Sequence, residues 1–321
     1  MYRIGIDLGG TTIAAGIVNE QYEIVYQTSV PTGSERDSDA IMEDMAALCH
    51  KLCAESGISI DEIASVGIAS PGIANHDDGV VEYSCNLPFR KYPICAKIKE
   101  RFPVADVFVE NDANAAAWGE AIAGAAKGTR NSVMITLGTG VGGGIIIDNK
   151  VYSGFNYAGA ELGHIVIQVG GAPCSCGRHG CWEAYSSATA LIRMTNEKIA
   201  ECECARRPTS MVKMAEEAGK VSGRTAFDAA RAGDEAAQEV VDTYIHYLAQ
   251  GLTNIVNIFQ PEVLSIGGGI SNEGQSLLDA IVPEIRREQY GQGIVASTDI
   301  RIATLKNDAG IIGGAVLGVR N

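Results

Sequence analysis

The chain has 321 residues, 46% of them hydrophobic, with a formal net charge of -14 and a pI of about 4.8. That length admits one large domain or two of ordinary size, and the apolar fraction supplies a full core. The acidic balance argues against a nucleic-acid partner, which needs a basic face. No run of 18 or more uncharged apolar residues is present to cross a bilayer, and the opening MYRIGIDLGG lacks the basic segment and apolar core of an export signal, so no membrane association and a cytoplasmic location are expected.

In chain order, RIGIDL (Arg3 to Leu8) is an isoleucine-rich apolar run that stops at Gly9-Gly10-Thr11-Thr12, and apolar runs follow at Ile13 to Val18 and Glu23 to Thr28. The pattern predicts strand, tight turn, strand, strand. Ser38 opens a helical pattern with Ile41, Met45, Leu48 and Leu52 on one face; Ser38 is the expected N-cap and Gly57 the expected end. SVGIASPG (Ser65 to Gly72) predicts a strand ending in a loop, and VADVFVEN (Val104 to Asn111) a strand that turns directly into the alanine-rich helix of NDANAAAWGEAIAG. The opening theme then recurs in SVMITLGTGVGGGIII (Ser132 to Ile147), where Thr136-Leu137-Gly138 aligns with Asp7-Leu8-Gly9. A long helix is expected from about Ala236 to Phe259, stopped by Pro261, followed by a strand ending in Gly267-Gly268-Gly269, with Ser271 placed to cap a further helix. Strands alternating with helices indicate an α/β architecture, and the absence of a low-complexity linker predicts two packed lobes with a cleft between them.

Three glycine-rich turns, Gly9 to Thr12, Gly138 to Gly144 and Gly267 to Gly269, each follow an apolar strand. Backbone N–H groups in such a turn form a nest for phosphate oxygens, although any one turn alone is more simply a tight hairpin. Neither the spacing of a Walker A loop nor a dinucleotide fingerprint is present. Asp7 at a strand end could equally bond turn amides, and Asp112, where strand meets helix, is a good N-cap as well as a candidate base.

Nine cysteines are an odd number, and three of them fall within Cys174, Cys176 and Cys181. In a reducing compartment such a cluster binds metal or reacts more often than it forms disulfides. His164, ten residues before Cys174, completes a Cys₃His set that suits structural zinc; His179 is a rival nitrogen ligand, and a redox role for Cys181 is a rival reading. The other six cysteines read as core or surface residues.

DLGGTT, LGTGVGGG and IGGGIS resemble the first phosphate, second phosphate and adenosine motifs of the sugar kinase/actin/heat-shock ATPase superfamily. Glu161 to His164 (E-x-G-H) and Cys174 to Glu183 (C-x-C-G-x-x-G-C-x-E) resemble the signature of ROK proteins (repressors, uncharacterised open reading frames and sugar kinases) at every defining position, and the resemblance runs from Ile4 to Gly318. It implies a two-lobed ribonuclease-H-like fold, with an N-terminal lobe over 1–117, a C-terminal lobe over 118–305 and a tail helix over 306–321 that returns to the first lobe.

The same resemblance implies an ATP-dependent sugar kinase. Asp7 would help hold Mg²⁺; Gly9, Gly10, Thr11 and Thr12, with Gly138, Thr139, Gly140, Gly142 and Gly143, would take the phosphates; Gly267, Gly268 and Gly269 would take the nucleoside. His164, Cys174, Cys176 and Cys181 would hold a structural Zn²⁺. Gly72, Asn86 (in Asn86-Leu87-Pro88-Phe89), Asn111, Asp112, Glu161, His164 and Glu183 would meet the sugar, His164 serving metal and sugar through different ring nitrogens. Asp112 would take the proton of the 6-hydroxyl. Glucose is the first choice of substrate; N-acetylmannosamine, N-acetylglucosamine, allose and fructose are the alternatives, and polyphosphate is the alternative donor. A sugar-responsive repressor of this family carries an extra helix-turn-helix ahead of the first phosphate motif, which here opens at residue 7, so the kinase is expected. The family implies a homodimer or tetramer.

Overall fold

A computed structural model describes residues 1–104 and 106–319. The first sheet has the order β3-β2-β1-β4-β8, in which β1 is Tyr2–Leu8, β2 Thr12–Val18, β3 Ile24–Pro31, β4 Ile63–Ser70 and β8 Asp106–Asn111. β1, β2 and β3 run antiparallel in sequence, while β4 lies parallel to β1 and β8 parallel to β4. Alternation places Ile4, Ile6 and Leu8 of β1 in the core. Helix α1 (Ser38–Ser56) contributes Ile41, Met42, Met45, Leu48 and Leu52 to the same core. A small sheet of β5 (Ile73–Asn75), β6 (Val80–Tyr83) and β7 (Arg90–Tyr92), then α2 (Ile94–Arg101), intervenes before β8, and α3 (Asp112–Ala123) leaves β8 without a loop.

A second five-stranded sheet has the order β11-β10-β9-β12-β13, from β9 (Ser132–Leu137), β10 (Val141–Ile147), β11 (Lys150–Val151), β12 (Val263–Gly267) and β13 (Asp299–Ile302). The helices between β11 and β13 are α4 (Glu183–Ser186), α5 (Ala188–Ala205), α6 (Met211–Ala218), α7 (Thr225–Arg231), α8 (Glu235–Phe259) and α9 (Gln275–Glu288), and α10 (Ala309–Ala315) closes the chain. The α/β class is as expected. Two compact units result, one from residues 1–134, 144–160 and 303–321, the other from 135–143 and 161–302.

Within the first unit α10 lies directly on β1 and β4, and on α3. A Cβ added at Gly5 would sit 1.8 Å from the Ile311 carbonyl oxygen, and one at Gly67 1.9 Å from that of Gly314, so only glycine on the strands lets the helix backbone come this close. Burial of Ile311, Ile312 and Val316 contributes about 1.5–3 kcal/mol for each side chain. Trp118 of α3 donates Nε1–H to the Val316 carbonyl at 2.9 Å, satisfying its one polar atom inside the core.

Several expected boundaries move, and at the helix starts capping chemistry is the reason. The N-cap of α1 is Asp37, not Ser38: Asp37 is extended and its carboxylate accepts the Ala40 N–H at 2.8 Å, while the Ser38 hydroxyl donates to the Pro88 carbonyl. The N-cap of α3 is Asn111, not Asp112; its side chain accepts from the amides of Ala113 and Asn114. Ser271 caps no helix, since it lies inside a 3₁₀ turn (Gly269–Glu273) with its hydroxyl on the Gly268 carbonyl, and α9 starts after Gly274. The third strand begins at Ile24 and extends to Pro31, and β8 begins at Asp106 rather than Val104, Ala105 lying outside the described residues. α8 starts one residue earlier than expected, on an Asp234 cap, and ends on a left-handed Gln260 before Pro261.

Candidate functional site

In the first unit the chemistry gathers at the C-terminal ends of β1 and β8. The turn after β1 closes on itself: the Gly9 N–H donates to the Thr12 carbonyl at 2.9 Å, and Thr32 braces it through its hydroxyl on the Gly9 carbonyl and its amide on the Thr11 carbonyl. Gly9 therefore uses its amide within the turn, and Thr11 and Thr12 are the exposed part of the motif. Asn86 is exposed and its Cβ lies 3.8 Å from the position of a Cβ added at Gly10, which brings the Asn86 segment to this turn.

Asp7 is the last residue but one of β1, with its carboxyl packed on Gly310 at the first turn of α10; a Cβ there would lie 2.5 Å from Asp7 Cγ. Burial, with a further contribution from the charge of Asp112, pushes the Asp7 carboxyl up to about 6. Asp112 is the first residue of α3. It is accessible to solvent, yet the loss of surrounding water raises its carboxyl too, against the opposing hydrogen bond from the Ala113 amide (2.9 Å). Asn111 Nδ2 donates to the Gly72 carbonyl at 3.1 Å, so the Ser70-Pro71-Gly72 turn and the helix start are tied together. Gly72 has φ +100, and a Cβ there would meet the Tyr83 carbonyl oxygen at 2.1 Å, so no other residue fits. Asp7, Gly9 to Thr12, Gly72, Asn86, Asn111 and Asp112 thus all belong to the first unit. Two carboxylates whose charge is resisted by burial can recruit a divalent cation and accept a proton.

In the second unit the cysteine loop folds as a tight antiparallel strap, with isolated bridges pairing Val166 with Cys181 and Pro173 with His179. The strap is anchored by Trp182, fully buried against α8: its Nε1–H donates to the Tyr247 carbonyl, and a Cβ on Gly251 would overlap its ring. His164, Cys174, Cys176 and Cys181 bring one ligand atom each to within 4.8 Å of one another. Cys174 Sγ lies 3.6 Å from His164 Nδ1 and Cys176 Sγ 3.7 Å from Cys181 Sγ. Burial pushes the Cys181 thiol up, whereas the backbone hydrogen bond from Arg178 lowers that of Cys176. Three sulfurs and one imidazole nitrogen at this spacing fit a tetrahedral structural zinc. Among the described residues His179 is not a member of the cluster, and the nine cysteines, all described, are free thiols.

Glu183 follows the strap, and its carboxylate is engaged within the unit. One oxygen accepts the Val141 N–H at 3.0 Å; the other accepts the Ser175 hydroxyl at 3.0 Å and faces Cys174 Sγ at 3.6 Å. The Glu183 oxygen occupies the space a Cβ on Gly140 would need, 2.4 Å away. The Gly138 to Gly143 turn is held from a second side by the Ala188 amide on the Gly138 carbonyl and the Thr189 hydroxyl on the Thr139 carbonyl, and Gly138 uses its own amide on the Gly140 carbonyl. Glu161, exposed, precedes the 3₁₀ turn Leu162–His164. Gly268 takes φ +84 beneath the Leu137 backbone, setting the Gly267 to Gly269 turn beside β9.

The sequence reading missed Glu110, Val141, Ser175 and Gly310. Glu110 carried a signal, since it precedes Asn111-Asp112 at the end of an apolar strand where a carboxylate must find partners; the other three are visible only through contacts distant in sequence.

A sequence profile of the ROK family matches residues 3–320. The chain is 37% identical over 318 residues to a glucokinase of Halalkalibacterium halodurans, covering 98% of this chain and 94% of that protein. It is also 37% identical over 315 residues to a glucokinase of Streptomyces coelicolor, covering 98% and 96%. A crystal structure of a ROK family glucokinase from Streptomyces griseus in complex with glucose and AMPPNP superposes with a TM-score of 0.80 at 34% identity, covering 99% of both chains.

Proposed function

The chain belongs to the ROK family, and on that footing we propose that it is an ATP-dependent glucokinase that transfers the γ-phosphoryl group to the 6-hydroxyl of glucose. The observation that carries the reading is the pair of carboxylates Asp7, near the C-terminal end of β1, and Asp112, at the helix start after β8, both raised and with the charge of Asp112 contributing to the rise at Asp7, in a chain 37% identical to glucokinases over almost its full length.

Phosphoryl transfer passes through a loose transition state, so placement and charge neutralisation dominate. Asp112 sits on a helix start fixed by the Asn111 cap, and its raised carboxyl suits a base that accepts the hydroxyl proton during attack. Asn111, Gly72 and Asn86 orient the sugar, as do Glu161 and His164. Thr11 and Thr12 with Gly10, and Thr139, Gly140, Gly142 and Gly143, face the phosphates; Gly267, Gly268 and Gly269 face the nucleoside. Bound Mg²⁺ supplies charge neutralisation at the phosphates, and Asp7 is the residue that would hold it, directly or through water. Glu183 already has partners in Val141 and Ser175, so a sugar hydroxyl would have to share its carboxylate with them. Zinc on His164, Cys174, Cys176 and Cys181 would fix the strap that carries Glu183, and a reducing cytoplasm would keep those thiols ready for it. The active form is proposed to be a homodimer.

The test is kcat/KM with MgATP over glucose, N-acetylmannosamine, N-acetylglucosamine, allose and fructose, with polyphosphate as a second donor and the product's phosphate position assigned by NMR. Glucose 6-phosphate as the preferred product supports the reading. Preference for another sugar by tenfold or more replaces the substrate, and no ATP-dependent phosphorylation of any of them removes the reading altogether.

A further inference from the structure

Glu110 is the last residue but one of β8 and is only 4% exposed. A carboxylate at that depth must be paired and hydrogen-bonded or it costs several kcal/mol. Its Oε1 accepts the backbone N–H of Asn111 at 2.9 Å and Nδ2 of Asn114 at 3.1 Å. Its Oε2 accepts Nδ1–H of His76 at 2.9 Å. His76 stands in the turn after β5, and its other nitrogen lies 3.8 Å from Asp77 Oδ1. The Tyr157 ring packs edge-on against His76 at 5.0 Å, and the Tyr157 hydroxyl donates to Asp77 at 2.7 Å. Every one of these residues lies in the first unit.

The two bonds to Oε1 end on Asn111, directly before Asp112, and on Asn114, two residues after it. Asn111 is the N-cap of α3, accepting the amides of Ala113 and Asn114 and donating to the Gly72 carbonyl. Asp112 itself accepts from the Ala113 amide, a contact inside the same helical turn, so the direction of its carboxylate follows the backbone of 111–113. Whatever fixes that backbone aims Asp112. Glu110 grips it before the helix begins and again one turn later, through Asn114, which is buried.

We propose that Glu110 is the positioning residue for the Asn111–Asp112 pair, a buried carboxylate that clamps the first turn of α3 and is itself held in place by His76. The inference rests on the reading of Asp112 as the base. Glu110 touches neither sugar nor phosphate in this role; it acts through the geometry of its neighbour, where a displacement of about 1 Å is enough to cost roughly 10²-fold in rate. Glutamine keeps an acceptor for the Asn111 amide and for Asn114, so it separates the clamp from the charge.

The experiment measures kcat and both KM values for Glu110→Ala, Glu110→Gln, His76→Ala and the double variant His76→Ala/Glu110→Gln, with Asp112→Asn run alongside. Glu110→Ala should lose about 10²-fold in kcat with KM for glucose and ATP within about threefold, and Glu110→Gln should recover to within about fivefold of the parent. His76→Ala should lose several-fold in kcat, and that loss should vanish in the Glu110→Gln background because His76 acts through the carboxylate. Parental kcat in Glu110→Ala, or Glu110→Gln as impaired as Glu110→Ala, overturns the proposal. Should Glu110→Ala fail to fold, the His76 cycle decides: a loss undiminished in the glutamine background overturns it, and a loss that disappears supports it. Normal turnover of Asp112→Asn removes the reading of Asp112 and this inference with it, whereas an inactive Asp112→Asn beside an unimpaired Glu110→Ala removes the inference alone.

Discussion

Glu183 accepts the Val141 amide at 3.0 Å across 42 residues of chain, joining the cysteine strap to the Gly138 to Gly143 turn. A charge-assisted bond of this kind contributes about 1.5–3 kcal/mol. Glu183→Ala is therefore expected to reduce kcat/KM by roughly 10- to 100-fold, with KM for ATP rising together with KM for glucose. A change confined to KM for glucose would limit Glu183 to the sugar and show that the Val141 bond does nothing for the nucleotide.

The raised Asp7 carboxyl has a consequence for stability. Its folded value of about 6 lies above the ordinary 3.8, so the contribution is stabilising below pH 4 and is lost as pH rises through 6. Above that, keeping Asp7 ionised without a cation costs about 3 kcal/mol at most. Asp7→Asn is expected to raise the melting temperature of the magnesium-free protein at pH 7.5, with the gain shrinking toward pH 4, while turnover falls by 10²-fold or more. A melting temperature independent of the substitution at pH 7.5 would contradict the raised value of this carboxyl.

The four-ligand cluster predicts about one zinc per chain in protein purified without chelator. Cys176→Ser or exhaustive chelation should lower the melting temperature by roughly 10 °C or more, since structural zinc supplies local folding energy of several kcal/mol. Protein with three titratable thiols at the strap, no metal and an unchanged melting curve would refute a structural ion.

Gly67 and Gly5 are where α10 meets the first sheet. Gly67→Val places a side chain where the Gly314 carbonyl oxygen already sits 1.9 Å from the Cβ position, and neither backbone can yield without the other. The variant should lose more than about 4 kcal/mol and accumulate as insoluble chain. A soluble variant with the parental denaturation midpoint would mean that α10 is not fixed to β1 and β4 in solution.

The legible parts of this molecule are those written over short spans. The three glycine turns, the apolar runs before them and the Cys174-Cys176-Cys181 spacing each lie within a few residues, and the α/β class and a candidate metal loop follow from them, whereas the choice of His164 over His179 as the fourth ligand rests on the ROK resemblance. Caps were misread because a cap is decided by backbone angles as well as residue type: Ser38, Asp112 and Ser271 are all plausible caps, yet Asp37, Asn111 and Gly274 hold the non-helical conformations. The Val141 partner of Glu183, the seat of Asp7 on Gly310 and the hold of His76 on Glu110 depend on contacts that only the folded chain creates, across 42, 303 and 34 residues of separation.

The central claim is that Asp112 accepts the proton of the attacking hydroxyl. Its most direct measurement is kcat for Asp112→Asn with saturating MgATP and glucose, alongside the dissociation constant for glucose by calorimetry. The account predicts a loss of about 10³-fold in kcat with glucose affinity within a few-fold of the parent; turnover within tenfold of the parent would contradict it.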